Sequence, residues 1–286
     1  MTISHSSSRF PDLARRKDIL VAVYMAMGKD RLSLLAAGVA FYILFAIFPA
    51  LGAATWIFGL LANPHLIQQQ LQSVKDVVPA EAYILIQNRL MLLTAKSGGF
   101  SLPGSVSLFV ALFSARTAAA SMIQALNVVF KAEETRGFIK VEVIATICTI
   151  LAVFIFVLTI ALLVVLPALF NFIGLPPLIE NAVRYLRWPV LATLVALTLA
   201  LSYRYAPNRK INEWRWISWG SMAATAIWLF ASFGFSWYVS AFGTYDRVYG
   251  SLGAVMILLL WFWLTAFIAL LGAELDKAIE DHTSVY

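Results

Sequence analysis

Charged side chains are scarce in this chain of 286 residues. Asp, Glu, Lys and Arg make up 13% of it, whereas 61% is hydrophobic. Soluble domains carry about 25% charged residues, so the shortage excludes an ordinary soluble globule. One cysteine, Cys148, excludes an intramolecular disulfide. The polar, basic N-terminal segment has no short apolar region followed by small residues, so we expect no cleaved signal peptide.

Histidine is also rare, and this argues against an enzyme. His5, His65 and His282 are far apart in the sequence, and no HxH, CxxC or paired-acid motif occurs. Hydrolysis of RNA would need paired carboxylates, histidines or a metal cluster. We therefore expect no catalytic residue, no metal site and no cofactor. The phosphate loop GxxxxGK[ST] is missing too, so direct use of ATP would need another subunit.

Long apolar runs, by contrast, are abundant and indicate membrane-spanning helices. A helix of about 20 apolar residues crosses the hydrocarbon core. We predict an all-α polytopic membrane protein with six spans. The fourth is the shortest, near the lower limit for crossing. The spans are placed at 33–61, 103–128, 143–170, 188–203, 216–239 and 250–273.

The basic residues set the orientation of these spans. One set of connecting segments holds 14 Lys and Arg residues and the other holds 6. Because positive charge stays on the cytoplasmic side, the richer set should be cytoplasmic, and with it both termini. Topology and anionic lipid explain the net charge of +6, so membrane lipids and not nucleic acid are the expected partners.

Two regions are amphipathic and should not cross the membrane. Residues 10–31 place apolar side chains among Arg and Lys, which suits a helix on the inner membrane surface; they are Leu13, Leu20, Tyr24 and Met27. Residues 64–98 predict an extracytoplasmic helical hairpin that is broken at Pro79. The hairpin suits a structural cap, with a gate or lid as the alternative.

These features divide the chain into three parts. Residues 1–32 form a basic cytoplasmic segment with the interfacial helix, 33–273 the transmembrane domain, and 274–286 a cytoplasmic tail.

Four segments carry a resemblance to a known family. They read LAAGVAFYILFAIFPALGA, SARTAAASMIQALNVVFKAEETRGF, RYAPNRKINEWRWISWGSMAATAIW and SWYVSAFGTYDRVYGSLGAVMILLLWFWLTAFIALLGAELDKA. In order and spacing they resemble the BrkB/YihY-type bacterial inner-membrane family, once labelled ribonuclease BN. The resemblance covers about residues 10–280 and is most specific from YDRVYGSLGA to LLGAELD. It implies six helices with cytoplasmic termini in a bacterial inner membrane, and proposed roles in transport or export.

Arg116 is the single ionisable residue between positions 102 and 130. Such a residue usually faces a protein interior or a wet cavity, and its guanidinium could bind a carboxylate or phosphate. A structural arginine between helices is the alternative. Ser114 lies nearby, and Asn127 lies about three turns further on the same face, where a polar contact between helices is favoured. Tyr42 could line a cavity or pack. Arg116 and Asn127 match the family's Ser-x-Arg and Leu-Asn positions.

Two further groups of polar residues lie at the ends of the spans. Asp246, Arg247 and Tyr249 form an outer group that suits an external mouth or an anchor.

The inner group is Glu274, Arg209 and Lys210. Glu274 at the C-terminus of the last span should need a basic partner, with Arg31, Arg136 and the Arg209–Lys210 pair as candidates. A structural latch is favoured for Glu274 over a proton or ion site, and a turn for Arg209–Lys210 over a phosphate site.

Two classes of function fit these features. A transporter or exporter of an anionic, amphipathic or lipid substrate is favoured by Arg116 in a bundle of apolar helices, and a homodimer would suit so small a bundle. A non-transporting scaffold or envelope-integrity factor needs only packing surfaces. No protein partner can be identified from the sequence.

Overall fold

The computed structural model describes residues 13–61, 102–160, 177–209, 218–241 and 251–283. Within these ranges the regular structure is entirely helical, as the sequence predicts. The helices in chain order are α1 Leu13–Lys29, α2 Leu32–Leu61, α3 Leu102–Val129, α4 Phe138–Ile160, α5 Pro177–Tyr205, α6 Trp219–Ala241 and α7 Ser251–Thr283. The predicted hairpin at 64–98 lies outside the described residues.

Five of the described helices are long and apolar enough to cross a membrane. Their apolar stretches are Leu32–Ala50, Ser105–Val129, Phe138–Thr159, Trp219–Val239 and Val255–His282. Each overlaps one of the predicted spans. The remaining predicted span, 188–203, lies within α5. That helix carries Glu180, Arg184 and Arg187 in its first half and Arg204 near its end, which leaves a short apolar stretch between them.

Two helices extend well beyond the predicted spans. α5 begins at Pro177, within a segment predicted as an outer connection, because proline suits the first turn of a helix. α7 continues to Thr283, where the sequence predicted a tail from residue 274. Leu275, Ala278 and Ile279 bury an apolar face there, and this packing keeps the final turns helical.

The chain forms two compact units. Residues 42–117 make up one, and residues 1–41 with 118–286 make up the larger one. In the larger unit α6 packs between α5 and α7, α4 contacts α5, and α1 lies along α7.

The contact between α1 and α7 uses one face of α1. Ile19 and Val23 are buried with Ala278, and Met27 packs against the same cluster. Leu20 and Tyr24 are exposed on α1. The apolar residues that the sequence assigned to one membrane-facing surface therefore divide between two surfaces. The placement of α1 on a membrane stays a prediction.

Left-handed residues end α1 and α3 within the larger unit. Arg31 has a φ of 51° and Lys131 a φ of 50°. A residue of this conformation just past a helix commonly terminates it. Asp30 and Phe130 still bond back to Ala26 and Leu126 at 2.8 and 2.9 Å. The chain then turns at once into α2 in the first case and into the 131–137 loop in the second.

Candidate functional site

The polar side chains of the larger unit gather where α1, α3, α5 and α7 end and α6 begins. We call this region the polar end; it comprises residues 29–31, 127–137, 203–209, 218–221 and 272–283. In this region the backbones of α6 and α7 approach each other closely. Gly220 on α6 faces Gly272 on α7 so closely that a Cβ on Gly220 would overlap the Gly272 carbonyl oxygen. Small residues permit such close helix packing in membranes.

Two buried polar side chains hold this crossing. The Tyr203 hydroxyl donates to the Ala269 carbonyl oxygen at 2.5 Å, and Tyr203 is 1% exposed. The Asp276 carboxylate accepts the Gly220 N–H at 2.6 Å. Asp276 therefore lies at the N-terminus of α6, where a negative charge favours the helix dipole. Together they join α5, α6 and α7.

Asn127 connects α3 to two loops. Its Nδ2 donates to Glu134 at 2.8 Å, and its Oδ1 accepts the backbone N–H of Asn208, also at 2.8 Å. Asn208 in turn donates through Nδ2 to the Glu133 carbonyl oxygen and to the Thr135 hydroxyl, both at 2.8 Å. The side chain of Asn127 is buried, and its amide oxygen and nitrogen both bond to loops, whereas the sequence favoured a contact between helices.

Glu134 and Arg136 form a two-bond ion pair in the same loop. The Nε and Nη2 atoms of Arg136 donate to the two carboxylate oxygens at 2.7 and 2.6 Å. Arg136 Nη2 also donates to the Ala206 carbonyl oxygen at 2.9 Å. The hydrogen bonds from Arg136 lower the pKa of Glu134 from 4.5 to about 2, although partial burial acts in the opposite direction. The same pairing raises the pKa of Arg136.

Arg209 contacts three groups of the protein, although its buried Nε atom has no hydrogen-bond partner. Its guanidinium donates to Glu280 at 2.5 Å and to the Tyr203 carbonyl oxygen at 3.1 Å. It also stacks over the Phe130 ring, 3.7 Å from the centroid. Arg209 thus joins the ends of α3, α5 and α7, which suits a structural role better than a phosphate site.

Glu274 has different neighbours from those the sequence predicted. It is not at a helix end, since α7 continues for two more turns. Arg136 and Arg209, expected as possible partners, pair with Glu134 and Glu280 instead.

The charged side chains that interact electrostatically with Glu274 are Asp30, Lys131 and Lys277. Glu274 is 3% exposed. Its Oε1 atom and the Oδ2 atom of Asp30 are buried without a hydrogen-bond partner.

Arg116, Ser114 and Tyr42 belong to the smaller unit. Arg116 lies near the middle of the apolar stretch Ser105–Val129. It is partly buried, and its guanidinium lies over the Phe113 ring, 4.6 Å from the centroid. Ser114 is buried and Tyr42 is 38% exposed. Two residues apart on one helix, Ser114 and Arg116 point in different directions.

Several site residues were missed or lie outside the described ranges. The sequence did not single out five of them, of which all but Glu134 depend on contacts with distant segments: Asp30, Glu134, Tyr203, Asn208 and Asp276. Their one shared signal in the sequence is a polar side chain near the end of a predicted span. The predicted Asp246, Arg247, Tyr249 and Lys210 fall outside the residues that the structure describes. Within the described ranges, no group of three or more His, Cys, Asp or Glu side chains could hold a metal ion.

Comparison with known proteins gives a family match over most of the chain. The model of the family described as "Virulence factor BrkB" matches residues 23–285. A ribonuclease-like protein of Bacillus subtilis, YfkH, is 29% identical over 85% of this chain and 88% of its own length. No solved structure matches the chain.

Longer relatives also match most of the chain. UPF0761 membrane proteins of Alkalilimnicola ehrlichii and Paraburkholderia xenovorans are each 27% identical, over 87% and 94% of this chain. The matched region spans only 55% and 61% of those two proteins.

Proposed function

This chain belongs to the Virulence factor BrkB family of integral membrane proteins, and from that premise we propose that it transports or exports an anionic or amphipathic substrate, such as a lipid. The polar end would face the cytoplasm of a bacterium, with the spans in the inner membrane and both termini inside. Membrane lipids are its proposed partners, and a homodimer its proposed assembly.

The position of Arg116 carries this proposal. A charged side chain at the centre of a spanning helix costs roughly 2.5–3.5 kcal/mol on insertion scales. The stretch Ser105–Val129 contains this one charge, and a group that binds Arg116 would offset its cost. Guanidinium binds carboxylate and phosphate groups through two parallel hydrogen bonds. A substrate that carries such a group would meet Arg116 within the membrane.

The alternative is a non-transporting scaffold or envelope-integrity factor. Asn127 and Arg209 favour it, because both are occupied in contacts between helices and loops. We do not propose nuclease activity. The name of YfkH describes that protein, and the histidines of this chain are dispersed at positions 5, 65 and 282.

The test is flux through the full chain reconstituted in liposomes. Fluorescent phospholipids and anionic amphiphiles would be offered to the native protein, Arg116→Gln and Arg116→Lys. We expect protein-dependent flux that falls at least tenfold in Arg116→Gln. We expect part of the flux to be recovered in Arg116→Lys, since lysine keeps the positive charge but cannot donate two parallel hydrogen bonds as guanidinium does.

Lys140→Gln is the matched control. It removes one positive charge from an exposed position on α4 and should leave flux unchanged. Equal flux in Arg116→Gln and native protein would assign Arg116 a structural role. No flux of any probe from folded, inserted native protein would favour the scaffold.

A further inference from the structure

Two carboxyl groups meet in the buried joint between the end of α1 and α7. Asp30 follows the last turn of α1, and Glu274 lies on α7. The two carboxyl groups are close enough for a direct electrostatic interaction. On the same two helices, Met27, Leu271 and Leu275 pack against the buried cluster of Ile19, Val23 and Ala278. The pair therefore lies where α1 and α7 pack against each other.

One oxygen of each carboxyl group lacks the donor that a buried anion needs. Glu274 Oε1 and Asp30 Oδ2 are both shielded from solvent, and neither accepts a hydrogen bond. An unsatisfied buried acceptor costs about 1–3 kcal/mol, and more when it is charged. By contrast, Asp276, two residues from Glu274, accepts the Gly220 N–H. The neighbouring carboxylate on α7 thus has a donor that the Glu274 Oε1 atom lacks.

The neighbouring cations only partly compensate two negative charges. Lys277 and Lys131 are the basic groups that act on Glu274. Lys277 donates to Asp281 at 2.5 Å, so its charge is shared with another carboxylate. Lys131 is exposed, where solvent screens its charge. Both lysines would also repel a metal cation from this position.

We propose that Asp30 and Glu274 together form a proton-binding site that fastens α1 to α7. One bound proton removes one of the two adjacent negative charges and supplies an O–H donor for an orphaned oxygen. Loss of the proton would set two carboxylates against each other and loosen α1. The site binds a proton whether or not the protein transports a substrate.

The pH dependence has a definite sign. A proton held more tightly in the folded protein than in the unfolded chain stabilises the fold fully at acidic pH, and this stabilisation is lost as pH rises. Glu274→Gln and Asp30→Asn each replace one carboxyl group by a neutral amide that can donate. Both variants should retain the α1 contact at alkaline pH, where the native protein loses it.

Infrared difference spectroscopy of the full chain in lipid nanodiscs tests the site directly. As pH is raised, the infrared band of one protonated carboxyl group should disappear from the native protein. About one proton per chain should be released, because the two carboxyl groups share one proton. Glu274→Gln and Asp30→Asn should each lack that band. Asp18→Asn, which alters an exposed carboxylate on α1, should keep it.

Three results would overturn the proposal. The native protein could show no titrating carboxyl band. The band could persist in both Glu274→Gln and Asp30→Asn. Sodium or potassium at constant pH could raise the unfolding temperature of the native protein and not of the variants, which would make the ligand a metal cation. Thermal unfolding over the same pH range supplies a second readout if one variant folds poorly.

Discussion

Asn127 illustrates how much a polar residue in an apolar helix depends on its partners. The sequence places it on α3, about three turns from Arg116, and indicates a contact between helices. The contact is instead with two loops, through Glu134 and the backbone of Asn208. Spacing along one helix could not predict these contacts. Glu134 lies beyond the end of α3, and Asn208 lies 81 positions later in the chain.

The ion pair of Glu134 with Arg136 should make the fold sensitive to acid. The pKa of Glu134 is lowered to about 2 in the folded protein from 4.5. Its stabilisation is therefore complete above about pH 4.5 and is lost as pH falls toward 2. Glu134→Gln should reduce stability at neutral pH by roughly 0.2–1 kcal/mol, because the pair is partly exposed, and should remove part of the acid dependence.

Thermal unfolding from acidic to neutral pH measures this effect. Glu133→Gln is the control, since its exposed neighbouring carboxylate should not change the acid dependence. Identical pH profiles for Glu134→Gln and the native protein would contradict the assigned pairing.

At the scale of elements, α6 and α7 owe their close approach to the absence of two side chains. Gly220 and Gly272 let the backbones touch, and Tyr203 of α5 closes the same contact. Helix propensity alone would favour alanine at both positions, because glycine costs roughly 0.5–1 kcal/mol in a helix interior. The close crossing of α6 and α7, and not helix propensity, therefore explains the glycines at these two positions.

Gly272→Ala should separate α6 from α7. The added Cβ would lie 2.6 Å from the Ala224 Cβ and 2.7 Å from both the Gly220 carbonyl oxygen and the Tyr203 hydroxyl. Overpacking of this kind costs about 1–3 kcal/mol, and a lower unfolding temperature in detergent would reveal it.

Gly234→Ala on α6 is the matched control for this substitution. A Cβ there meets nothing within 4 Å, so the helix should gain roughly 0.5–1 kcal/mol. Equal unfolding temperatures for the two variants would disprove the close crossing.

At the scale of the molecule, the polar end of the larger unit brings together segments that charge counting assigns to one side of the membrane. Asn208 bonds to the 131–135 loop, and Arg209 bonds to Glu280. Asp30 meets Glu274. Four segments that the sequence assigns to one side of the membrane are therefore joined at one end. Which side of the membrane this end faces stays a prediction from the positive-inside rule.

Fusion reporters test that orientation in bacterial cells. A reporter enzyme that works only outside the cytoplasm should be inactive when joined to the C-terminus and active when joined within the predicted outer segment 171–187. A cytoplasmic fluorescent reporter should behave in the opposite way. An active external reporter at the C-terminus, at equal expression, would reverse the assigned orientation.

The sequence by itself determined the class of this protein, the positions of five apolar helices and the grouping of its basic segments. Apolar run length and charge distribution are local quantities, so they can be counted along the chain. Only the tertiary structure decided that α7 continues to Thr283, that Arg209 and Asn127 are occupied, and that Glu274 faces Asp30. These outcomes depend on which distant groups share a buried space, and no spacing along one helix contains that information.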